Sequence, residues 1–164
     1  MTCIILLFIA SLSIATDPFD SANTKRCSTA RGAQYDSYCP SREATEEHQR
    51  KIFARFVETL YGDRNVAEAF STYVDPDLIE HDPYNQNRDA VVAKLSQIIP
   101  DATFTVEHST FESDIGFVHL RLGEDRAAPV ALADIYRMDG TCIVEHWEVV
   151  QTRPDDYTNP IAMF

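Results

Sequence analysis

The stretch Val130-Ala131-Leu132-Ala133-Asp134-Ile135-Tyr136-Arg137-Met138-Asp139-Gly140, followed after Thr141 by Cys142-Ile143-Val144-Glu145-His146-Trp147-Glu148-Val149, decides the fold. Both limbs are rich in β-branched, aromatic and other apolar residues, and Asp139-Gly140 between them is a strong hairpin-turn signal. Upstream, Phe117 to Leu122 reads as another strand. Phe104, Val106 and His108 alternate with Thr103, Thr105 and Glu107 at period two. Before residue 100 the period is 3.6 instead. Ile52, Phe53, Phe56, Val57, Leu60 and Tyr61 recur at helical spacing after Ser41, a suitable N-cap, and Gly62 stops the run. Asp63 can cap a second helix carrying Val66, Ala69, Phe70 and Tyr73, broken at Asp75-Pro76-Asp77. Leu78 to Tyr84 is a short extended piece ending in a turn. A third helix is predicted from Arg88 to Ile99, with Pro100 as its stop. Helices first and antiparallel strands later predict an α+β domain, with the helices packed on one face of a curved sheet.

Composition narrows the function. Of 164 residues, 14 are Lys or Arg and 26 are Asp or Glu, a net charge of −12. With 45% hydrophobic and 24% charged residues, the chain has the balance of one folded domain around one core. Its acidity argues against nucleic acid, whose phosphates require a basic stripe, and against anionic membrane surfaces. Five glycines leave no phosphate-binding loop.

Met1 to Ala15, MTCIILLFIASLSIA, is an apolar run too short to span a bilayer, and Ser13-x-Ala15 ends it with a small-x-small cleavage pattern. Residues 1–15 therefore read as a signal peptide, with the mature protein secreted and free of the membrane. Residues 16–40 show no periodicity and read as an irregular surface arm, in which Lys25-Arg26 is a weak dibasic processing signal. Within the arm, Cys27 and Cys39 bracket a polar loop whose closure by a disulfide suits an oxidising compartment. Such a loop would contribute about 3 kcal/mol by the chain-entropy model. Cys142 would then be a buried small hydrophobe. The domain proper is expected over residues 41–164.

The candidate chemistry lies where polar residues interrupt apolar strands. Asp134 sits in a strand with no other charge before Arg137. A carboxylate stripped of water holds its proton more tightly, which costs stability and suits a general base near neutral pH. The alternative is an outward Asp134 paired with Arg137 or Lys94. Its cross-strand partner depends on the turn. A two-residue Asp139-Gly140 loop sets Asp134 opposite Glu145, and a three-residue loop with a glycine bulge sets it opposite His146. His119, inside the Phe117 to Leu122 strand, and His81, at the mouth of the Leu78 strand just before Asp82-Pro83, are further candidates. Trp147 reads as a wall of the core or of a pocket. No H-x-H, H-E-x-x-H or helical carboxylate–histidine pair is present, so no metal is expected. No serine lies in a nucleophile elbow.

Taken in order, Leu78-Ile79-Glu80-His81-Asp82-Pro83, Val118-His119, Ala133-Asp134-Ile135-Tyr136-Arg137-Met138-Asp139-Gly140, Ile143-Val144-Glu145-His146-Trp147-Glu148-Val149 and Asn159-Pro160 to Met163-Phe164 resemble the SnoaL-like polyketide cyclase family, within the nuclear transport factor 2-like superfamily. The resemblance covers roughly residues 45–164. It implies a sheet wrapped by three helices into a cone around a pocket, and an intramolecular aldol condensation that uses neither metal nor organic cofactor. It places the acid/base aspartate on Asp134 and a neighbouring pocket histidine on His119, with His81 and His146 at recurrent positions. Tyr136, Trp147, Phe117 and Glu145 would then shape the substrate site, and the partner would be a small hydrophobic or carbonyl-containing molecule. Pairing of two copies through the outer sheet face is implied by the same analogy. The cone also hosts dehydratases, isomerases and binding modules without chemistry, so these stand as alternatives.

Overall fold

The computed structural model describes residues 37–123 and 129–164. The signal peptide, Lys25-Arg26 and Cys27 lie outside the described residues. Helix α1 spans Glu46–Val57, α2 Val66–Tyr73 and α3 Arg88–Ile98; strands are β1 Val74–Glu80, β2 Phe104–Glu112, β3 Ile115–Leu122, β4 Val130–Asp139 and β5 Cys142–Thr152. The strands form one curved, unclosed sheet in the order β1-β5-β4-β3-β2. The three helices and this sheet make the α+β fold expected from the order of periods, in the cone that the resemblance implies. Among the described residues no helix is long and apolar enough to cross a membrane.

Local chemistry sets the helix starts. Thr45, not Ser41, caps α1, its side chain accepting from the His48 backbone N–H, and Glu46 and Glu47 occupy the positive end. Asn65, not Asp63, caps α2, and Asn87 caps α3. Helix α1 runs on into a single π-helical turn, Glu58–Gly62, closed by a 2.8 Å bond from Asp63 N–H to the Glu58 carbonyl. Asp75-Pro76-Asp77 falls inside β1 instead of breaking the chain. β1 is an edge strand, where proline's missing N–H is tolerated, and its register against β5 shifts between Val74 and Ile79.

The core lies between the helices and the concave face of the sheet. Phe53, Phe56 and Leu60 lie three to four residues apart on one helical face and are at most 1% exposed, as are Val118, Leu120, Met138 and Ile143 from the sheet. Phe56 meets the Tyr136 ring edge-on at 4.9 Å, and Phe53 packs against Phe111 at 5.6 Å. Gly116 on β3 leaves the room that the Phe53 ring fills, and a Cβ there would overlap that ring. Gly116→Ala is expected to destabilise the fold by about 1–3 kcal/mol through overpacking, measured as a lower urea midpoint.

The last hairpin follows neither expected register. Pairing persists to Asp139↔Cys142, so Gly140-Thr141 makes the turn, with Gly140 at φ +50°. Met138 then pairs with Ile143 and Arg137 with Glu145, leaving Val144 as a bulge. Beyond it Tyr136 faces His146, and Asp134 faces Glu148. Neither Glu145 nor His146 therefore stands opposite Asp134.

The disulfide also differs from expectation. It joins Cys39 to Cys142, with Cα atoms 5.0 Å apart, so Cys39 is not available to Cys27 and Cys142 is not a free thiol. The cause is the path of residues 37–42, an irregular stretch docked along the domain. Tyr38 N–H donates to the Thr72 carbonyl and its ring stacks on Tyr73. Thr141 Oγ1 donates to the Tyr38 carbonyl at 2.6 Å, and Ser41 Oγ donates to that of Asp139 at 2.6 Å. These contacts carry Cys39 to the start of β5.

Candidate active site

A cavity of about 370 Å³ opens between the concave face, α3 and the loop after β1. Its wall is mostly apolar, with Phe70, Leu95, Ile98, Phe104 and Leu132 among the lining residues. Its polar groups are supplied chiefly by β1, β4, β5 and the π-helical turn.

Asp134 is inward and 6% exposed. Both outward partners are engaged elsewhere: Arg137 pairs with Glu145 at 2.7 Å and Lys94 with Asp82 at 3.3 Å. The Tyr61 hydroxyl donates to Asp134 Oδ2. With that proton committed, Tyr61 accepts from the Tyr136 hydroxyl at 3.0 Å. Burial, then the Asp134 charge, pushes both phenols well above the usual tyrosine range, so both remain donors near neutral pH. The result is a relay Tyr136→Tyr61→Asp134 that spreads charge away from the carboxylate.

His146 is 8% exposed and stacks on Tyr136 at 4.5 Å. Its Nδ1 lies 2.9 and 3.0 Å from the two oxygens of Glu80, whose side chain is fully buried. Glu80 Oε1 also accepts from the backbone N–H groups of His81 and Asp82, which fixes the carboxylate in place. This holds the imidazole with Nδ1–H toward Glu80 and Nε2 into the cavity. Nε2 has no hydrogen-bond partner among the described residues; Asp134 Oδ1 faces it across 3.9 Å. Burial opposes a charged ring, but the Asp134 and Glu80 carboxylates outweigh it and raise the His146 pKa from 6.5 to about 9.

That shift has a consequence for stability. The folded state holds the proton more tightly, so its stabilisation is fully present below the unfolded value of 6.5 and is lost as pH rises through about 9. The span is on the order of 3 kcal/mol. Urea denaturation across this window should show a falling midpoint, and His146→Gln should flatten that fall.

Strand parity sorts the remaining candidates. His119 pairs with Ala133 and Phe117 with Ile135, on the face opposite Val118 and Asp134. His119 therefore stacks between His108 and Phe164, at 5.8 and 5.7 Å, outside the cavity. Glu145 and Trp147 alternate out of phase with His146 and also face outward. His81 lies on the same outer side, stacked on Trp147 at 4.9 Å and bonded to Glu145 at 2.8 Å. Of the expected site, Asp134, His146 and Tyr136 come together, whereas His119, His81, Phe117, Trp147 and Glu145 do not line the cavity. Tyr61, Glu80 and Glu148 join them. A faint signal existed for Tyr61, a hydroxyl on a buried helix face that must find a partner. Cys39, Asp75 and Cys142 offer potential metal-ligand atoms within 4.8 Å of one another, but the two sulfurs are bonded together.

Comparison with known families matches a model of the SnoaL-like domain to residues 53–146, from α1 to the cavity histidine. The chain belongs to the SnoaL-like domain family. No curated protein gives a significant match to this SnoaL-like chain. Among solved structures, a candidate ketosteroid isomerase from Kribbella flavida superposes with a TM-score of 0.55 at 15% identity, covering 70% of this chain and 84% of that one. An NTF-2 like protein of unknown function from Burkholderia xenovorans gives 0.55 at 16%, covering 70% and 89%. A candidate SnoaL-like polyketide cyclase from Jannaschia gives 0.50 at 14%, covering 62% and 86%. At these identities the likeness establishes the cone fold of the SnoaL-like domain and leaves its chemistry to the cavity.

Proposed function

We propose that the protein is an acid/base enzyme that abstracts a proton from carbon beside the carbonyl of a small, largely apolar substrate, in a reaction of the aldol-condensation type. The observation that carries this reading is the facing pair Asp134 Oδ1 and His146 Nε2, 3.9 Å apart in a largely apolar cavity. A carboxylate base and a protonated imidazole at one point supply both needs of enolisation. Asp134 takes the proton, while His146 Nε2–H donates to the developing enolate oxygen. Glu80 holds the ring in the orientation that donation requires. Apolar walls keep water from the enolate, and no step needs a group beyond these side chains. Residues 1–15 and the Cys39–Cys142 disulfide support secretion through an oxidising compartment.

The test is loss of α-protons from acetophenone and related ketones in deuterated buffer, followed by NMR. Exchange above the buffer rate is expected, declining as pH passes about 9 and His146 loses its proton. Ketones that bind yet exchange no faster than in buffer would overturn the catalytic reading and make the cavity a binding site alone.

A further inference from the structure

Charge around the cavity is unevenly distributed. Its lining holds four acidic side chains, Glu80, Asp82, Asp134 and Glu148, against two basic ones, Lys94 and His146. Asp82 is satisfied by backbone N–H groups of Tyr84 and Asn85 and by Lys94. Glu80 and Asp134 share the His146 ring. Glu148 is left over: no hydrogen bond or ion pair engages its carboxyl among the described residues. It stands opposite Asp134 in the β4–β5 ladder, and burial, then the Asp134 charge, raises its pKa, which the Lys94 and His146 charges offset only in part. A half-buried carboxylate beside a like charge is costly unless a counter-charge arrives. A second observation points to the same ligand site. His146 Nε2 is an orphaned donor inside the cavity, so the ligand's other pole must be an acceptor.

We propose that the cavity selects an amine-bearing ligand, its ammonium group paired with Glu148 and an oxygen acceptor at His146 Nε2, and that it excludes organic anions. This rests on the cavity being the substrate site and names the class within it: apolar carbonyl compounds that carry an amine. An anion entering here meets Asp134, Glu80 and Glu148 together. A cation relieves the repulsion between Asp134 and Glu148.

The experiment is calorimetric titration of the full chain at neutral pH with 4-(aminomethyl)acetophenone, 4-(hydroxymethyl)acetophenone and 4-acetylbenzoate. These probes share one phenyl ketone, whose oxygen is the acceptor for His146, and a short substituent that is cationic, neutral and anionic. The aminomethyl ketone is expected to bind about tenfold more tightly than the hydroxymethyl ketone, and acetylbenzoate most weakly, a gap of the size one partly buried charge pair supplies. Glu148→Gln should bring the aminomethyl ketone to within about twofold of the hydroxymethyl ketone, and Lys94→Met should tighten the aminomethyl ketone about threefold by removing the competing cation. The neutral ketone binding as tightly as the cationic one, or a preference that neither variant moves, overturns the amine assignment and leaves the cavity standing as a ligand site. If none of the three binds, the amine assignment falls, and exchange of acetophenone, which carries no charge, decides the catalytic reading separately. Should Glu148→Gln fail to fold, Lys94→Met decides: no tightening of the aminomethyl ketone refutes the proposal.

Discussion

Asp134→Asn is expected to slow ketone α-proton exchange by about 10²–10⁴-fold, the range that one positioned general base supplies. The amide matches the carboxylate in size, and its oxygen still accepts from Tyr61, so the core around it has no cause to move. What it cannot do is take a proton. The substitution also removes one of the two carboxylates that hold the His146 proton, so the pKa of about 9 should fall. The variant therefore carries two readouts: the exchange rate by NMR, and the His146 titration from its ring-proton shifts. Loss of exchange together with an unchanged circular dichroism spectrum supports the assignment. Exchange at the original rate would show that another group is the base.

Cys39→Ser is expected to lower the unfolding free energy by about 2–5 kcal/mol, toward the upper end, because the bond closes a loop of about a hundred residues. The reduced chain gains conformational freedom over nearly the whole described domain. On the native side, the bond pins residues 37–42 against the turn at Gly140 and Thr141, where Arg42 O already accepts from Thr141 N–H at 2.9 Å. Differential scanning calorimetry of Cys39→Ser and of the reduced parent should give the same loss. A melting temperature unchanged in both would show that docking of residues 37–42, and not the covalent link, supplies the stability. Because β5 begins at Cys142 and carries His146 four residues later, the Cys39→Ser hairpin should also exchange its amide protons faster at Thr141 and Cys142.

The fold was legible because its signals are local. The change of period near Pro100, the apolar spacing from Ile52 to Leu60 and the two apolar limbs ending at Asp139 and Val149 each lie within one element. The site was legible only in part because it depends on register. Asp134 could be singled out as a charge in an apolar strand. Whether His146 or Glu145 joined it depended on the position of the turn and on the Val144 bulge, and neither leaves a mark in side-chain type. His119 drew attention as a histidine in an apolar strand and His81 as one at a strand's end, but parity across β3 and the outward path after β1 place them on the far face. Tyr61 reaches Asp134 from a π-helical turn, where one residue more per turn changes the direction of a side chain that an α-helical pattern would aim elsewhere. Glu80 was hidden for another reason. Its role exists only through a parallel pairing with a strand more than sixty residues away.

That pairing bears on how the molecule is made. β1 finds no neighbour in β2, β3 or β4; its backbone groups are paired by β5, which is synthesised after every other described element. A nascent chain therefore carries an open sheet edge, with Glu80 lacking the ring it steadies, until translation has passed residue 146. Contacts this distant in sequence close slowly. The contact between Glu80 and His146 should then form as the final event of maturation, and the waiting edge is where a chaperone would find its handle.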